Sequence, residues 1–212
     1  MSTSCCQIEP KFSGASPAYK RVLWAVIGIN AAMFVIEMSA GALAGSQALQ
    51  ADALDFLGDT MTYGLSLYVI GKSLRARTTA ALIKGGSLAV LGIWVLGSTI
   101  YKVFFIAVPL AEVMGVVGFL ALAANIASLL LLLRYRDGDA NVRSVWLCSR
   151  NDAVGNVAVI VAASGVWATS AGWPDLVVAG AMASLFLWSA TQIIRQAFQE
   201  FHARDMHFIA MD

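Results

Sequence analysis

Two pairs of side chains at helical spacing have the chemistry to hold a metal ion between them. The first pair is Asp55-x-x-x-Asp59 and the second is Cys148-x-x-x-Asp152. Residues four apart on a helix are neighbours, with Cβ atoms about 5–6 Å apart, so both members of a pair can bind one ion. Two such helices packed together supply four ligands, the number that a zinc-like cation prefers. The spacing therefore predicts a metal site made of these four residues.

Two residues are candidates for the fourth ligand. A lone cysteine in a helix is usually a small packing residue, and Asn156 also lies four positions from Asp152. Counting 1.5 Å per residue from the ends of the apolar segments puts Asp59 and Asp152 nearly level, with Cys148 several Å deeper than Asp55. Both Cys148 and Asn156 are kept as candidates.

The helix that carries the first pair contains a third carboxylate, Asp52. A charged group near the middle of a bilayer costs roughly 2.5–3.5 kcal/mol even on insertion-based scales. At 100° per residue, Asp52, Asp55 and Asp59 fall within an arc of about 60° on one helix face. This face must therefore be turned toward protein, water or a cation. Asp52 lies one turn nearer the outside, where it lines an exit path or anchors the helix end.

The charge of the four ligands predicts a coupled proton. Three carboxylates and a thiolate bring more negative charge than one divalent ion neutralises, and like charges in a poorly solvated place cannot all stay ionised. Protons are therefore expected in the vacant site, and metal binding should release them. This exchange is the chemistry of a metal–proton antiporter.

The composition is that of an integral membrane protein. Of the 212 residues, 59% are hydrophobic and 13% are charged, with a mean hydropathy of +0.74. A soluble domain carries about twice that charged fraction. The net charge of +1 gives no indication of nucleic-acid binding. Nothing in the sequence resembles the nucleophile and base of an enzyme, no bound cofactor is indicated, and three cysteines are too few for a disulfide framework.

Six apolar segments are long enough to cross about 30 Å of hydrocarbon, which predicts an all-α fold. They are Arg21–Ala44, Ala48–Ile70, Thr79–Val103, Glu112–Leu133, Ser144–Trp167 and Pro174–Ile194. Basic residues cluster at one side of these segments, which predicts cytoplasmic N- and C-termini by the positive-inside rule. The basic residues on that side are Lys11, Lys20, Arg21, Lys72, Arg75, Arg77, Arg134, Arg136, Arg143, Arg195 and Arg204.

The expected organisation is a flexible cytoplasmic segment at residues 1–18, a six-helix transport domain at 19–195 and a short cytoplasmic tail at 196–212. Cys5 and Cys6 in the first segment are interpreted as part of a disordered terminus, with delivery of metal to the entrance as the alternative. His202 and His207 are interpreted as solvated residues of the tail. Arg150 points away from Asp152 and needs a partner, for which Glu37 is the candidate.

The sequence resembles the cation diffusion facilitator family over essentially its whole length. The resemblance lies in the six spans and in two sequence segments. They are Gln50-Ala-Asp-Ala-Leu-Asp-Phe-Leu-Gly-Asp59 in the second span and Asn141-Val-Arg-Ser-Val-Trp-Leu-Cys-Ser-Arg-Asn-Asp-Ala-Val-Gly-Asn-Val-Ala-Val-Ile160 in the fifth. The resemblance implies that Asp55, Asp59 and Asp152 are transport-site ligands with Cys148 as the fourth, and that Lys84 forms a salt bridge with Glu200.

Two departures from the family pattern stand out. Cys148 replaces the usual histidine, and no cytoplasmic C-terminal metal-binding domain follows before Asp212, which suggests a shortened branch of the family. With that domain missing, dimerisation is expected through membrane helices, with faces at Gly85-Gly86 and Ala121–Ala124.

The expected function is export of divalent metal ions, most readily zinc, from the cytoplasm in exchange for protons. A thiol ligand favours soft ions such as Zn²⁺ and Cd²⁺, while three oxygen ligands keep Co²⁺, Fe²⁺ and Mn²⁺ open. The expected partners are the ion, protons, the bilayer and a second copy of the chain, and the location is the cell membrane (the inner membrane in a Gram-negative cell). The alternative is a non-transporting membrane metal sensor or partner subunit.

Overall fold

The computed structural model describes residues 16–69, 74–105, 108–135 and 140–209; it leaves out the side chains of residues 69, 74–78, 80–81, 84, 140–151 and 196–209. The described residues form six helices and no strand. The helices are α1 (Pro17–Ala44), α2 (Gln47–Val69), α3 (Leu74–Phe104), α4 (Ala111–Leu133), α5 (Ala140–Thr169) and α6 (Trp173–Ile209). The predicted all-α fold with six helices is confirmed, and α6 continues well past the predicted end of its span at Ile194.

Within the described residues, five helices are long and apolar enough to cross a membrane. The helix that does not qualify is α2, because every 18-residue stretch of it contains Asp52, Asp55 and Asp59. Among the described residues, α2 instead packs against more helices than any other element does, namely α1, α3, α5 and α6. Large apolar side chains such as Leu43 and Trp188 cover the outside of the bundle. The protein is therefore a multi-pass membrane protein whose acidic helix is shielded by the others.

One end of the bundle, called the outer end here, is built around the sharp turn between α1 and α2. Gly45 adopts a left-handed conformation with φ of 72°, which ends α1, and the Ser46 amide donates to the Gly41 carbonyl at 3.0 Å. Around this turn, Asp175 from the first turn of α6 accepts from the backbone amides of Gln47 and Ala48, at 2.8 and 3.0 Å. The first turns of α2 and α6 therefore lie at the same level.

Two further helices join the outer end. The Lys102 ammonium at the end of α3 donates to the Gly45 carbonyl at 2.8 Å, and the Leu110 amide before α4 donates to the Ala44 carbonyl at 3.0 Å. Because α5 also ends beside the start of α6, the helices alternate in direction through the bundle. Which end faces the cytoplasm stays a prediction from the basic residues.

The opposite, inner end is closed on one side by tyrosines. Tyr19 of α1, Tyr63 of α2 and Tyr135 after α4 share one buried cluster with Leu23, Val26, Ile27 and Leu132. The Tyr19 and Tyr135 rings meet edge to face with centroids 5.3 Å apart. Aromatic pairs of this geometry add about 0.5–1.5 kcal/mol to the burial of their area. This cluster holds α1, α2 and α4 together on the inner side of the acidic residues.

One residue of each predicted dimer face packs against other helices of the same chain. A Cβ at Gly85 would meet Ile194 of α6 at 2.8 Å, so this glycine allows α3 and α6 to approach closely. Ala121 is fully buried against Met33 and Phe56. Small residues at these positions therefore serve the packing of the monomer, where small side chains let membrane helices come close.

Candidate metal site

A single cavity of about 800 Å³ brings together three of the predicted ligands. Asp55 and Asp59 line it from α2, and Asp152 lines it from α5. The rest of the wall is largely apolar and comes from α2, α5, α6 and Leu88 of α3. Residues nearly 100 positions apart in the sequence thus share one space inside the bundle, as the two spaced pairs predict.

The cavity extends along the bundle on both sides of the carboxylates and reaches further toward the inner end. Its lining on α6 runs from Val178 to Ile193, a rise of roughly 22 Å along a helix axis. On α2, the lining begins at Asp55 and reaches Thr62. Val178 follows Asp175 by only three positions, and Asp175 bonds to the start of α2. On α6 the cavity therefore begins outward of Asp55 and reaches inward past Asp59.

The register of α2 against α5 follows from a close approach at Gly155. A Cβ on this glycine would lie 3.9 Å from Oδ1 of Asp52. Since the two helices run in opposite directions, Asp152 comes level with Asp55, and position 148 comes level with Asp59. This differs from the expectation that Asp59 and Asp152 are level, because counting from segment ends ignores the tilt and offset of each helix. In this register, both spaced pairs can reach one ion.

The position of Asp59 is set by a residue that the sequence analysis missed. The Tyr63 hydroxyl donates a hydrogen bond to Oδ2 of Asp59. Tyr63 is fully buried in the inner tyrosine cluster, so its ring cannot readily move away from the carboxylate. The spacing could have predicted this hydrogen bond, because Tyr63 follows Asp59 by four residues on the same helix. A hydrogen bond to a charged group contributes about 1.5–3 kcal/mol, enough to hold the carboxylate in one orientation.

The question of the fourth ligand falls partly outside the described residues. The side chain of Cys148 lies there, while Asn156 is fully buried and is absent from the cavity wall. Among the described side chains, no group of three or more His, Cys, Asp or Glu residues is arranged so that it could hold an ion. Binding by Asp55, Asp59 and Asp152 therefore requires the side chain at position 148, a closer approach of α2 and α5, or both.

Asp52 does not line the cavity. It is buried at 1% exposure, and its carboxyl lies next to that of Glu37 on α1. The predicted partner of Glu37, Arg150, has its side chain outside the described residues. The same holds for Lys84, Glu200, His202 and His207, and Cys5 and Cys6 precede the described chain.

Similarity to known proteins decides the family. The profile of the cation efflux transmembrane domain matches residues 23–201. The chain belongs to this family. Among cation efflux relatives, the zinc transporter ZitB of Yersinia pestis is 27% identical over 196 residues, covering 85% of this chain and 62% of the relative. ZitB of Escherichia coli strain K12 is 29% identical over 197 residues, with the same coverage. The chain thus spans 62% of the length of these curated relatives.

The match to the cation efflux family confirms the resemblance seen in the sequence. It covers all six helices, from within α1 to the inner part of α6. The acidic cavity between α2, α3, α5 and α6 consequently belongs to the matched transmembrane domain.

Proposed function

We propose that this cation efflux protein exports divalent metal ions, zinc first among them, from the cytoplasm across the cell membrane in exchange for protons. The observation that carries the proposal is the single cavity lined by Asp55, Asp59 and Asp152. The similarity to proteins named zinc transporters supports zinc as the ion. In this proposal the ion binds between α2 and α5, with Cys148 as the fourth ligand.

Proton exchange follows from the charge of such a site. Carboxylates that share a cavity with apolar walls repel each other and are poorly solvated, so an empty site holds protons. An arriving cation displaces them, because only the ionised groups bind metal. Proton entry into the emptied site then restores the state that started the cycle.

The shape of the bundle supports entry from the inner end. The cavity extends toward that end, while Asp175 and Lys102 tie the helix ends together at the outer end. Transport then requires a second arrangement in which the outer end opens and the inner end closes. Rocking of helices about a fixed central site is the usual way in which secondary transporters do this. A homodimer is the proposed assembly, and native mass measurement in lipid nanodiscs tests it.

The proposal is tested by metal flux into inside-out proteoliposomes with zinc, cadmium and manganese. Asp59→Ala should lower zinc flux by about 100-fold or more, since loss of even an outer-shell partner costs 10–100-fold. Glu112→Ala is the matched control, because it removes an exposed carboxylate outside the central cavity and should leave flux unchanged. A pH gradient that is acidic on the side to which metal is exported should accelerate flux.

Two results would contradict the proposal. Flux indifferent to the pH gradient would exclude proton exchange. Metal binding without flux under any gradient would favour the alternative of a membrane metal sensor or partner subunit.

A further inference from the structure

Three buried polar side chains lie on the outer side of the proposed transport site and have no part in it. They are Glu37 of α1, Asp52 of α2 and Asn156 of α5, with exposures of 0%, 1% and 0%. Apart from the contact of the two carboxyl groups with each other, several of their atoms lack any hydrogen-bond partner among the described residues. These atoms are both oxygens of Glu37, Oδ2 of Asp52, and Oδ1 and Nδ2 of Asn156.

The three side chains lie at one level of the bundle on three different helices. Glu37 and Asp52 face each other directly. Asn156 follows Gly155, at which a Cβ would lie 3.9 Å from Oδ1 of Asp52. It lies one turn outward of Asp152, on the buried face of α5 that continues through Val159. Val159 shares one core cluster with Ala48, Leu49 and Ala51 of α2. The amide thus lies inside the bundle at the level of Asp52.

Burying these three side chains without a bound partner costs free energy. A polar group buried without a partner costs about 1–3 kcal/mol on mutational scales, and an unpaired buried charge costs several kcal/mol more. Side chains in this state usually mark a missing water, ion or functional group. A divalent cation would satisfy both carboxylates at once and leave the occupied site neutral, which neither a monovalent ion nor a single proton does.

We propose that Glu37, Asp52 and Asn156 form a second divalent-cation site, one helical turn outward of the transport site. Its ligands are two carboxylates and an amide oxygen, with water completing the shell. Because all of these ligands are oxygens, the site discriminates less against Mn²⁺ and Co²⁺ than a site that contains a thiolate. The ion occupies it after leaving Asp55, Asp59 and Asp152. Only this direction of travel rests on the proposed function, since binding itself does not require transport.

The test counts zinc ions bound to the purified full chain in lipid nanodiscs by equilibrium dialysis and elemental analysis. The unaltered protein should bind two ions per chain, and Glu37→Gln and Asp59→Ala should each bind one. The double variant Glu37→Gln/Asp59→Ala should bind none. Glu112→Gln, the same chemical change at an exposed position of α4, should still bind two.

The two proposals fail in different ways. Two ions retained by Glu37→Gln would overturn the second site, whereas two ions retained by Asp59→Ala would overturn the transport site. The second site would also be overturned if the unaltered protein bound one ion and Asp59→Ala bound none. In that case the carboxyl groups of Glu37 and Asp52 would hold only protons.

Two more variants repeat the test from the other helices in case Glu37→Gln does not fold. Asp52→Asn should remove the second ion, and Asn156→Leu should weaken its binding by about tenfold or more. Unchanged binding of both ions in these two variants would overturn the proposal.

Discussion

The two ends of the bundle are held together by different kinds of interaction. At the outer end, buried charges and backbone groups of α1, α2, α3, α4 and α6 bond directly to one another. At the inner end, aromatic packing joins α1, α2 and α4, while a wide cavity separates α2 and α5 from parts of α3 and α6.

This difference indicates which end of the bundle holds its helices at a fixed spacing. Directional hydrogen bonds to buried groups hold helices at fixed spacing, because breaking one leaves an unsatisfied group behind. Apolar walls around a cavity can slide without such a penalty. The outer end is therefore the more firmly tied end of the conformation described here, and the inner end is the side at which we propose that the substrate enters.

The largest effect on stability is expected for Asp175→Ala. Asp175 is 1% exposed and accepts from the Ser46 hydroxyl and from the Gln47 and Ala48 amides. It acts as an N-cap for α2 supplied by another helix, and its loss leaves three buried donors unpaired. The free energy of unfolding should fall by about 3 kcal/mol, measured by denaturant titration in mixed micelles. Asp175→Asn keeps an acceptor and should lose less; equal losses in both variants would argue against the capping role.

A smaller effect is expected for Gly41→Ala, also at the outer end. A Cβ at Gly41 would lie 3.0 Å from both the backbone nitrogen and Cγ of Gln50. The resulting shift of α1 against α2 should lower the free energy of unfolding by about 2 kcal/mol.

The control for Gly41→Ala is in the same helix. Gly28 has no atom within 4 Å of a built Cβ, so Gly28→Ala should be neutral or stabilising by up to about 1 kcal/mol. If both alanine variants changed stability equally, close packing at the outer turn would not be what the glycine provides.

Much of the fold and part of the site could be predicted from local pattern. Apolar length predicted six helices, and the four-residue spacing predicted that Asp55 and Asp59 share a face. The second pair at the same spacing, Cys148-x-x-x-Asp152, assigned Asp152 to the same site.

Features that depend on tertiary packing could not be predicted in this way. Asp175 binds the start of α2 from 127 positions away, and nothing near it in the sequence reveals that partner. The register of α2 against α5 depends on where Gly155 allows close approach. The contact of Glu37 with Asp52 was not predicted either. The predicted pairing of Glu37 with Arg150 stays a prediction, because the Arg150 side chain lies outside the described residues.

At the inner end, Tyr63→Phe should affect metal binding more than stability. It removes the hydroxyl that donates to Asp59 and keeps the ring in its cluster. Zinc affinity should fall by about tenfold, and the free energy of unfolding by about 1 kcal/mol, measured by isothermal titration calorimetry and denaturant titration.

The matched control for Tyr63→Phe is Tyr135→Phe in the same cluster, whose hydroxyl accepts from Arg134. It should lose similar stability and keep its zinc affinity. An equal loss of affinity in both variants would show that the cluster acts only through packing.

The smallest effect is expected for Lys102→Met at the outer end. The Lys102 ammonium donates to the Gly45 carbonyl at 2.8 Å but is only half-buried, so water can replace it. The free energy of unfolding should fall by about 0.5 kcal/mol, with zinc affinity unchanged. The variant thus tests whether the outer end is held by its buried groups or by every bond around the turn. A loss as large as that of Asp175→Ala would favour the second view, because it would mean that α3 anchors the turn as strongly as α6 does.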